Sequence, residues 1–142
     1  MTIIQLSIFL ENRSGTLIKV LEVLKEAKIQ IIASTIADTA EYGIYRLICS
    51  EPQRACEELK NAGVPVSLSS VFALQLDNVP GCAAEAIETF SRAHISISYM
   101  YSFLMGDKGI LVFRTDNAEQ ARQTILDNNL RYISEADLLK LA

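Results

Sequence analysis

The chain has 142 residues, half of them apolar, with 13 Lys and Arg against 17 Asp and Glu for a net charge of -4. A chain of that size and apolar content can bury a core as one ordinary domain or two small ones, and its acidic balance argues against phosphate backbones and anionic lipid as partners. Cys49, Cys56 and Cys82 lack CxxC spacing and suggest neither a disulfide framework nor a zinc site, and with no leader-like or bilayer-length apolar run a cytoplasmic location is expected.

Taken in chain order, Ile3 to Leu10 reads as a strand. It ends in Leu10-Glu11-Asn12-Arg13-Ser14-Gly15-Thr16-Leu17, a strand-to-helix junction. A helix from Gly15 to Ala27 follows, with Leu17, Val20, Leu21 and Leu24 at i, i+3, i+4 and i+7 forming one apolar stripe. Strands are expected at Ile29 to Ala37 and Gly43 to Cys49, joined through a tight turn at Glu41-Tyr42-Gly43. Ser50-Glu51-Pro52-Gln53 reads as a capping box with Pro in the first turn, opening a helix from Pro52 to Asn61. A strand at Val64 to Ser69 completes the order βαββαβ.

The same order then begins again. Strands are expected at Val71 to Leu76, Ile95 to Phe103, Gly109 to Thr115 and Leu130 to Ser134, with helices at Gly81 to Ala93 and Ala118 to Asn128. Sliding the chain along itself without a gap, so that Leu10 falls on Leu76, aligns ten identical pairs, among them Asn12/Asn78, Gly15/Gly81, Gly43/Gly109 and Ala55/Ala121. The apolar stripe recurs at Ala83, Ala86, Ile87 and Phe90, and the second cap at Asp116-Asn117-Ala118-Glu119. The chain is therefore a tandem duplication. Each copy has the split βαβ order of a ferredoxin-like sandwich, an α+β fold with a four-stranded antiparallel sheet and both helices on one face. Domains are expected at residues 1–69 and 70–142, without a linker and with their sheets packed side by side.

The repeated junction, Leu10 to Leu17 and again Leu76 to Ala83, carries the chemistry. A strand that turns through Asn and Gly into a helix gathers backbone N–H groups and the positive end of the helix dipole at one spot, which favours a small anion. Gly15 and Gly81 let a ligand approach the backbone, while the amides of Asn12 and Asn78 offer donors and acceptors. A free α-amino acid, carboxylate on the N–H groups and ammonium on an Asn oxygen, suits such a place. Asn and Gly are also plain turn formers; it is the repetition at a fixed offset that favours a site.

Glu11-Asn12-Arg13-Ser14-Gly15-Thr16-Leu17, its helix and the strand opening Lys28-Ile29-Gln30-Ile31 resemble the ACT domain, a small-molecule-binding regulatory module of amino-acid metabolism, and Asp77-Asn78-Val79-Pro80-Gly81 matches the same pattern. The resemblance implies an amino acid held between two such domains, and a stand-alone regulatory pair rather than an enzyme. Carried over by position, the ligand-binding candidates are Asn12, Arg13, Ser14, Gly15 and Gln30 in the first copy, and Asn78, Val79, Pro80, Gly81 and Ser96 in the second. Ser14 departs from the Pro of many members, which Pro80 keeps; Gln30 and Ser96 stand where some serine-binding members have Asn. The expected partners are a free amino acid, a metabolic enzyme or regulator, and a second copy of the chain in a homodimer, with no nucleic acid and no membrane. No cofactor, metal or catalytic residue is implied; lone His94 reads as a surface residue at a helix end and Cys82 as a small packed residue.

Other functions compete, among them a small ferredoxin-like enzyme, which a single His and no obvious acid/base cluster disfavour. The βαββαβ order is also that of the RNA-recognition fold, and Lys108-Gly109-Ile110-Leu111-Val112-Phe113 lies where that fold carries stacking aromatics, but Ile110 and Val112 replace the rings. An interaction module without ligand is a further alternative. The alternation of Ile95, Ile97, Tyr99, Tyr101 and Phe103 with Ser96, Ser98, Met100 and Ser102 marks a half-buried strand, and an edge this apolar needs covering.

Overall fold

The computed structural model describes residues 1–11, 14–38 and 42–141; the turn residue Glu41 lies outside them. The elements are β1 (Thr2–Glu11), α1 (Thr16–Glu26), β2 (Ile31–Asp38), β3 (Tyr42–Cys49), α2 (Pro52–Asn61), β4 (Val66–Asp77), α3 (Cys82–Arg92), β5 (Ile97–Met105), β6 (Lys108–Thr115), α4 (Ala118–Asp127) and α5 (Glu135–Leu141). The chain divides into two compact units, Ile4–Ser69 and a second made of Met1–Ile3 with Ser70–Ala142. The duplication is kept in register: the starts of α1 and α3, of β2 and β5, of β3 and β6, and of α2 and α4 are all separated by the offset that sets Leu10 on Leu76.

In the first unit the strand order is β2-β3-β1-β4, with β3 antiparallel to both β1 and β2. Alternate residues of β1 and β3, namely Leu6, Ile8, Leu10, Tyr45, Leu47 and Cys49, turn to one face and form a core with Val20 and Leu24 of α1 and Ala55 and Leu59 of α2. The expected stripe on α1 is this contact: Val20 and Leu24 are buried, and Leu17 and Leu21 are packed beside them. In the second unit the order is β4-β6-β5. Its core joins Phe72, Leu74, Leu111 and Phe113 to Ala86, Phe90, Ala121 and Ile125. The ring of Phe113 lies 5.4 Å from that of Phe72 and 4.8 Å from that of Phe90. Ala83, expected in the second stripe, is exposed instead, its methyl too short to cover itself against the core that Leu17 reaches from the equivalent position.

All four long helices end alike. The N–H of Ile29, Val64, Ile95 and Leu130 is donated to the carbonyl of Leu24, Leu59, Phe90 and Ile125 in turn, and the preceding residues, Lys28, Gly63, His94 and Asn129, have φ between 52° and 80°. This is the Schellman closure, with an apolar contact between its two ends. It explains His94: the residue is a helix stop, paired by the repeat with Lys28. The side chain of the following helix reaches back to the same place, Arg54 Nη2 donating to the Ala27 carbonyl at 2.6 Å and Gln120 Nε2 to that of Ala93 at 2.8 Å.

Four expectations are corrected. Val64 to Ser69 and Val71 to Leu76 are not two strands: β4 runs unbroken from Val66 to Asp77, since no Gly or Pro interrupts Val66 to Asp77. The expected strand Leu130 to Ser134 is reduced to one bridge, Tyr132 opposite Leu74, flanked by bonds from Gln75 N–H to the Arg131 carbonyl and from Ile133 N–H to that of Ala73. Ser50 does not cap α2; its hydroxyl accepts from the Gln30 N–H at 3.0 Å, and Glu51 is the cap residue. The cap of α4 is Asn117, whose side-chain oxygen accepts from Gln120 N–H at 3.1 Å while its amide donates to the Gln120 side chain. Helix α5 was not foreseen. Its Leu138 is buried, as is Ile133 just before it, and no helix of the described residues is long and apolar enough to cross a membrane.

Candidate functional site

The two strand-to-helix loops end in the same glycine turn. Gly15 has φ 93° and ψ -16°, Gly81 φ 94° and ψ -16°, and each is the residue before its helix, where a glycine supplies no capping side chain of its own. Such a left-handed turn costs any residue with a Cβ about 1–2 kcal/mol, and that is why glycine stands there. Space is not the reason, because a Cβ built at either position meets nothing within 4 Å. The described residues of each loop make bonds of their own. In the first, the Thr16 hydroxyl donates to the Glu11 carbonyl at 2.9 Å. In the second, Val79 N–H donates to the Asp77 carbonyl at 2.9 Å and Cys82 N–H to that of Val79 at 3.4 Å, so two of its backbone donors are already engaged.

Asn12 and Arg13 lie outside the described residues. Ser14 and Gly15 are exposed in the first loop, and Asn78, Val79, Pro80 and Gly81 are exposed in the second. Gln30 and Ser96 are not with them. The loop end of the first unit is marked by Glu11 opposite Tyr42, whereas Ile31 pairs with Cys49 at the other end of β3. That strand has eight residues, or roughly 23 Å. Gln30 is held there by Ser50 through two bonds, and Ser96 at the matching place accepts a bond from Thr115 Oγ1 at 2.9 Å. Within one unit, no single amino acid touches both the loop and the start of the second strand.

Beside the loops the structure opens cavities. One of about 280 Å³ in the first unit is lined by Phe9, Glu11, Thr16, Lys19, Val64 and Pro65 among others. The equivalent cavity in the second unit, about 370 Å³, has Gln75, Asp77, Cys82, Glu85, Leu130 and Arg131 at the matching positions. A further one of about 270 Å³ brings Asn78 and Val79 together with Cys82, Ser102 and Leu104. The loop of the second unit is also pinned by Lys108, which faces Asp77 across the β4–β6 pair and donates to it at 2.9 Å. That bond, and then the attraction of the ammonium, holds the Asp77 carboxyl below the usual carboxylate range and raises Lys108. Both side chains are well exposed, so the pair orients the loop more than it stabilises the fold. Sequence reasoning missed Lys19, Glu85 and Lys108. The signal was present in the alignment of the two copies, where Lys19 faces Glu85 and Tyr42 faces Lys108, but as differences rather than identities.

Comparison with known proteins gives the family and the fold. The family described as an ACT domain pair matches residues 1–142. Protein BT0572 from Bacteroides thetaiotaomicron is similar in structure with a TM-score of 0.93 and 36% identity, over 99% of this chain and 97% of that one. The ligand-free regulatory subunit of aspartate kinase from Thermus thermophilus shares the fold at a TM-score of 0.63 and 14% identity, over 87% of this chain and 91% of that one. The corresponding subunit from Thermus flavus does so at 0.58 and 16%, over 87% and 90%. Among curated proteins, none matches the chain.

Proposed function

The chain belongs to the ACT domain pair family, and from that premise we propose that it binds a free amino acid at its repeated strand-to-helix loops and acts as a regulator of a metabolic enzyme or pathway rather than as a catalyst. One observation carries the reading: the two copies of the loop hold glycine at the same left-handed φ and ψ immediately before a helix, so that each loop delivers its ligand side to a helix N-terminus. A carboxylate is stabilised there by the helix dipole and the loop amides. The ammonium then falls to Asn12 or Asn78. The fold shared with a protein named as a regulatory subunit supports a regulatory role.

The first loop, Asn12, Arg13, Ser14 and Gly15, is the stronger of the two, since its copy keeps the fuller pattern with the longer amide at Gln30. Gln30 and Ser96, at the far end of their own sheets, meet a loop-bound ligand only from another domain, which a second copy of the chain in a homodimer supplies. The RNA-binding alternative loses its surface: Ile110 and Val112, in the places of the stacking rings, are fully buried.

Thermal denaturation against the twenty amino acids identifies the ligand, since one at about 100 times its dissociation constant adds roughly 2.7 kcal/mol. Calorimetry of Asn12→Ala and Asn78→Ala then tests the loops. Losing a hydrogen bond to a charged group costs about 1.5–3 kcal/mol, or about ten- to hundredfold in affinity, and we expect the larger loss in Asn12→Ala. Unchanged affinity in both variants means that the loops are structural and the reading is wrong.

A further inference from the structure

The duplicated cavities beside α1 and α3 occupy the same place in their units but differ in charge. Both carry a carboxylate at one shared position, Glu11 and Asp77; where the first presents Lys19 the second presents Glu85, and where the first has Pro65 the second has Arg131, so the lining charges balance in the first cavity and leave the second net negative. The helix ends differ in the same sense. The first turn of α1 has no acidic residue, so the positive end of its dipole adds to Lys19, whereas Glu85 stands in the first turn of α3 and offsets it. The floor of the first cavity is apolar, with Leu10, Val20 and Val64 nearly closed to solvent and Phe9 half exposed at its edge. At about 280 Å³ it lies just below the usual range of small-molecule sites, room for one small metabolite.

We infer that the cavity beside α1 is a binding site for a small carboxylate with a branched aliphatic tail, the charge on Lys19 and the tail against Val20, Val64 and Phe9, and that Glu85 has removed this ligand from the equivalent cavity of the second unit. The shared chemistry fits an aliphatic amino acid or the corresponding carboxylic acid. The inference rests on the reading above only in admitting an amino acid as one form of the ligand; its site is the cavity wall and not the loop.

Titration calorimetry with L-leucine and with isovalerate, which keeps the carboxylate and the branched tail without the amine, tests it. The expected result is binding of at least one probe at one site per chain, weakened tenfold or more in Lys19→Glu and kept within a few-fold in Lys19→Arg. NMR shifts at the Val20 and Val64 methyls accompany it, and Glu85→Lys adds a second site. No binding of either probe, or unchanged affinity in Lys19→Glu, overturns the inference; a Glu85→Lys protein that gains no site overturns its second half. Asn12→Ala and Asn78→Ala, titrated alongside, separate the two readings. Binding lost in a loop variant but kept in Lys19→Glu leaves the loop as the site and ends the cavity proposal, and the converse pattern ends the loop reading. Where both kinds of variant lose binding, the cavity stands only if the shifts fall on Val20 and Val64.

Discussion

At the scale of single residues, Gly15 and Gly81 decide most. Their φ of 93° and 94° puts both in a region that side chains with a Cβ enter only at a cost, while the space around them is open. Replacing either by Ala is therefore expected to lower stability by about 1–2 kcal/mol through backbone strain alone, without a clash. Urea denaturation of the two variants checks this. A loss near zero in either would mean that the turn relaxes and that glycine was kept there for the ligand. The matched values also explain why the Asn-to-Gly spacing could be read from the sequence: a left-handed residue before a helix is a local demand, and glycine is its local answer. Lys19 and Glu85 were not legible in that way. Their meaning depends on the wall of a cavity that only the packed unit possesses.

At the scale of elements, the duplication is visible in every helix and in the strand pairs. The stripe Val20 and Leu24 predicts burial of Ala86 and Phe90 at the equivalent positions of the second copy, and both are buried. The exception is α5, which has no counterpart in the first unit yet carries an ordinary start signal in Ser134-Glu135-Ala136-Asp137. Ser134 and Asp137 bond reciprocally: the Ser134 hydroxyl and N–H donate to the carboxylate at 2.9 and 3.2 Å, and Asp137 N–H donates to the hydroxyl at 3.2 Å. The backbone bond from Ser134, and then the hydroxyl bond, holds the Asp137 carboxyl below its usual range. A depressed carboxylate contributes stability that is present above its unfolded value and lost as pH falls through the lower, folded one. Amide protection along 135–141, taken relative to the intrinsic exchange rate at each pH, should thus fall below about pH 4 and should fall at neutral pH in Ser134→Ala. Protection that is the same in the variant and at both pH values would show that Leu138, and not the cap, holds α5 in place.

At the scale of the whole molecule, the outer strands β2 and β5 set the expectation. Along β5 the side chains alternate, with Met100 51% and Leu104 62% exposed on one side and Ile97, Tyr99, Tyr101 and Phe103 half-buried on the other. Among the described residues β5 pairs with β6 alone and β2 with β3 alone, which leaves each with an open edge. The sequence leads to covering by domain–domain or subunit contact, and a second copy of the chain is the subunit form of it. Sedimentation velocity should then report a dimer at micromolar concentration, with Leu104→Asp shifting it toward monomer, and amide exchange should be slow along both strands. A monomer with fast exchange along either strand would show that these edges stay open.

The sequence by itself determined the duplication, the βαββαβ order of the first copy, the buried part of the helix stripes and the glycine turns before α1 and α3. Each of these is a local or periodic demand that neighbouring residues meet, and periodicity survives without a fold. Only the tertiary structure decided the rest. It sent the Ser50 hydroxyl to Gln30 instead of to its own helix, and thinned the last expected strand to a bridge at Tyr132. It placed Gln30 and Ser96 at the opposite end of the sheet from the loops they accompany in the family pattern. Strand direction does this: β1 and β2 both run antiparallel to β3 and so run parallel to each other, which sets the end of one and the start of the other a full strand apart.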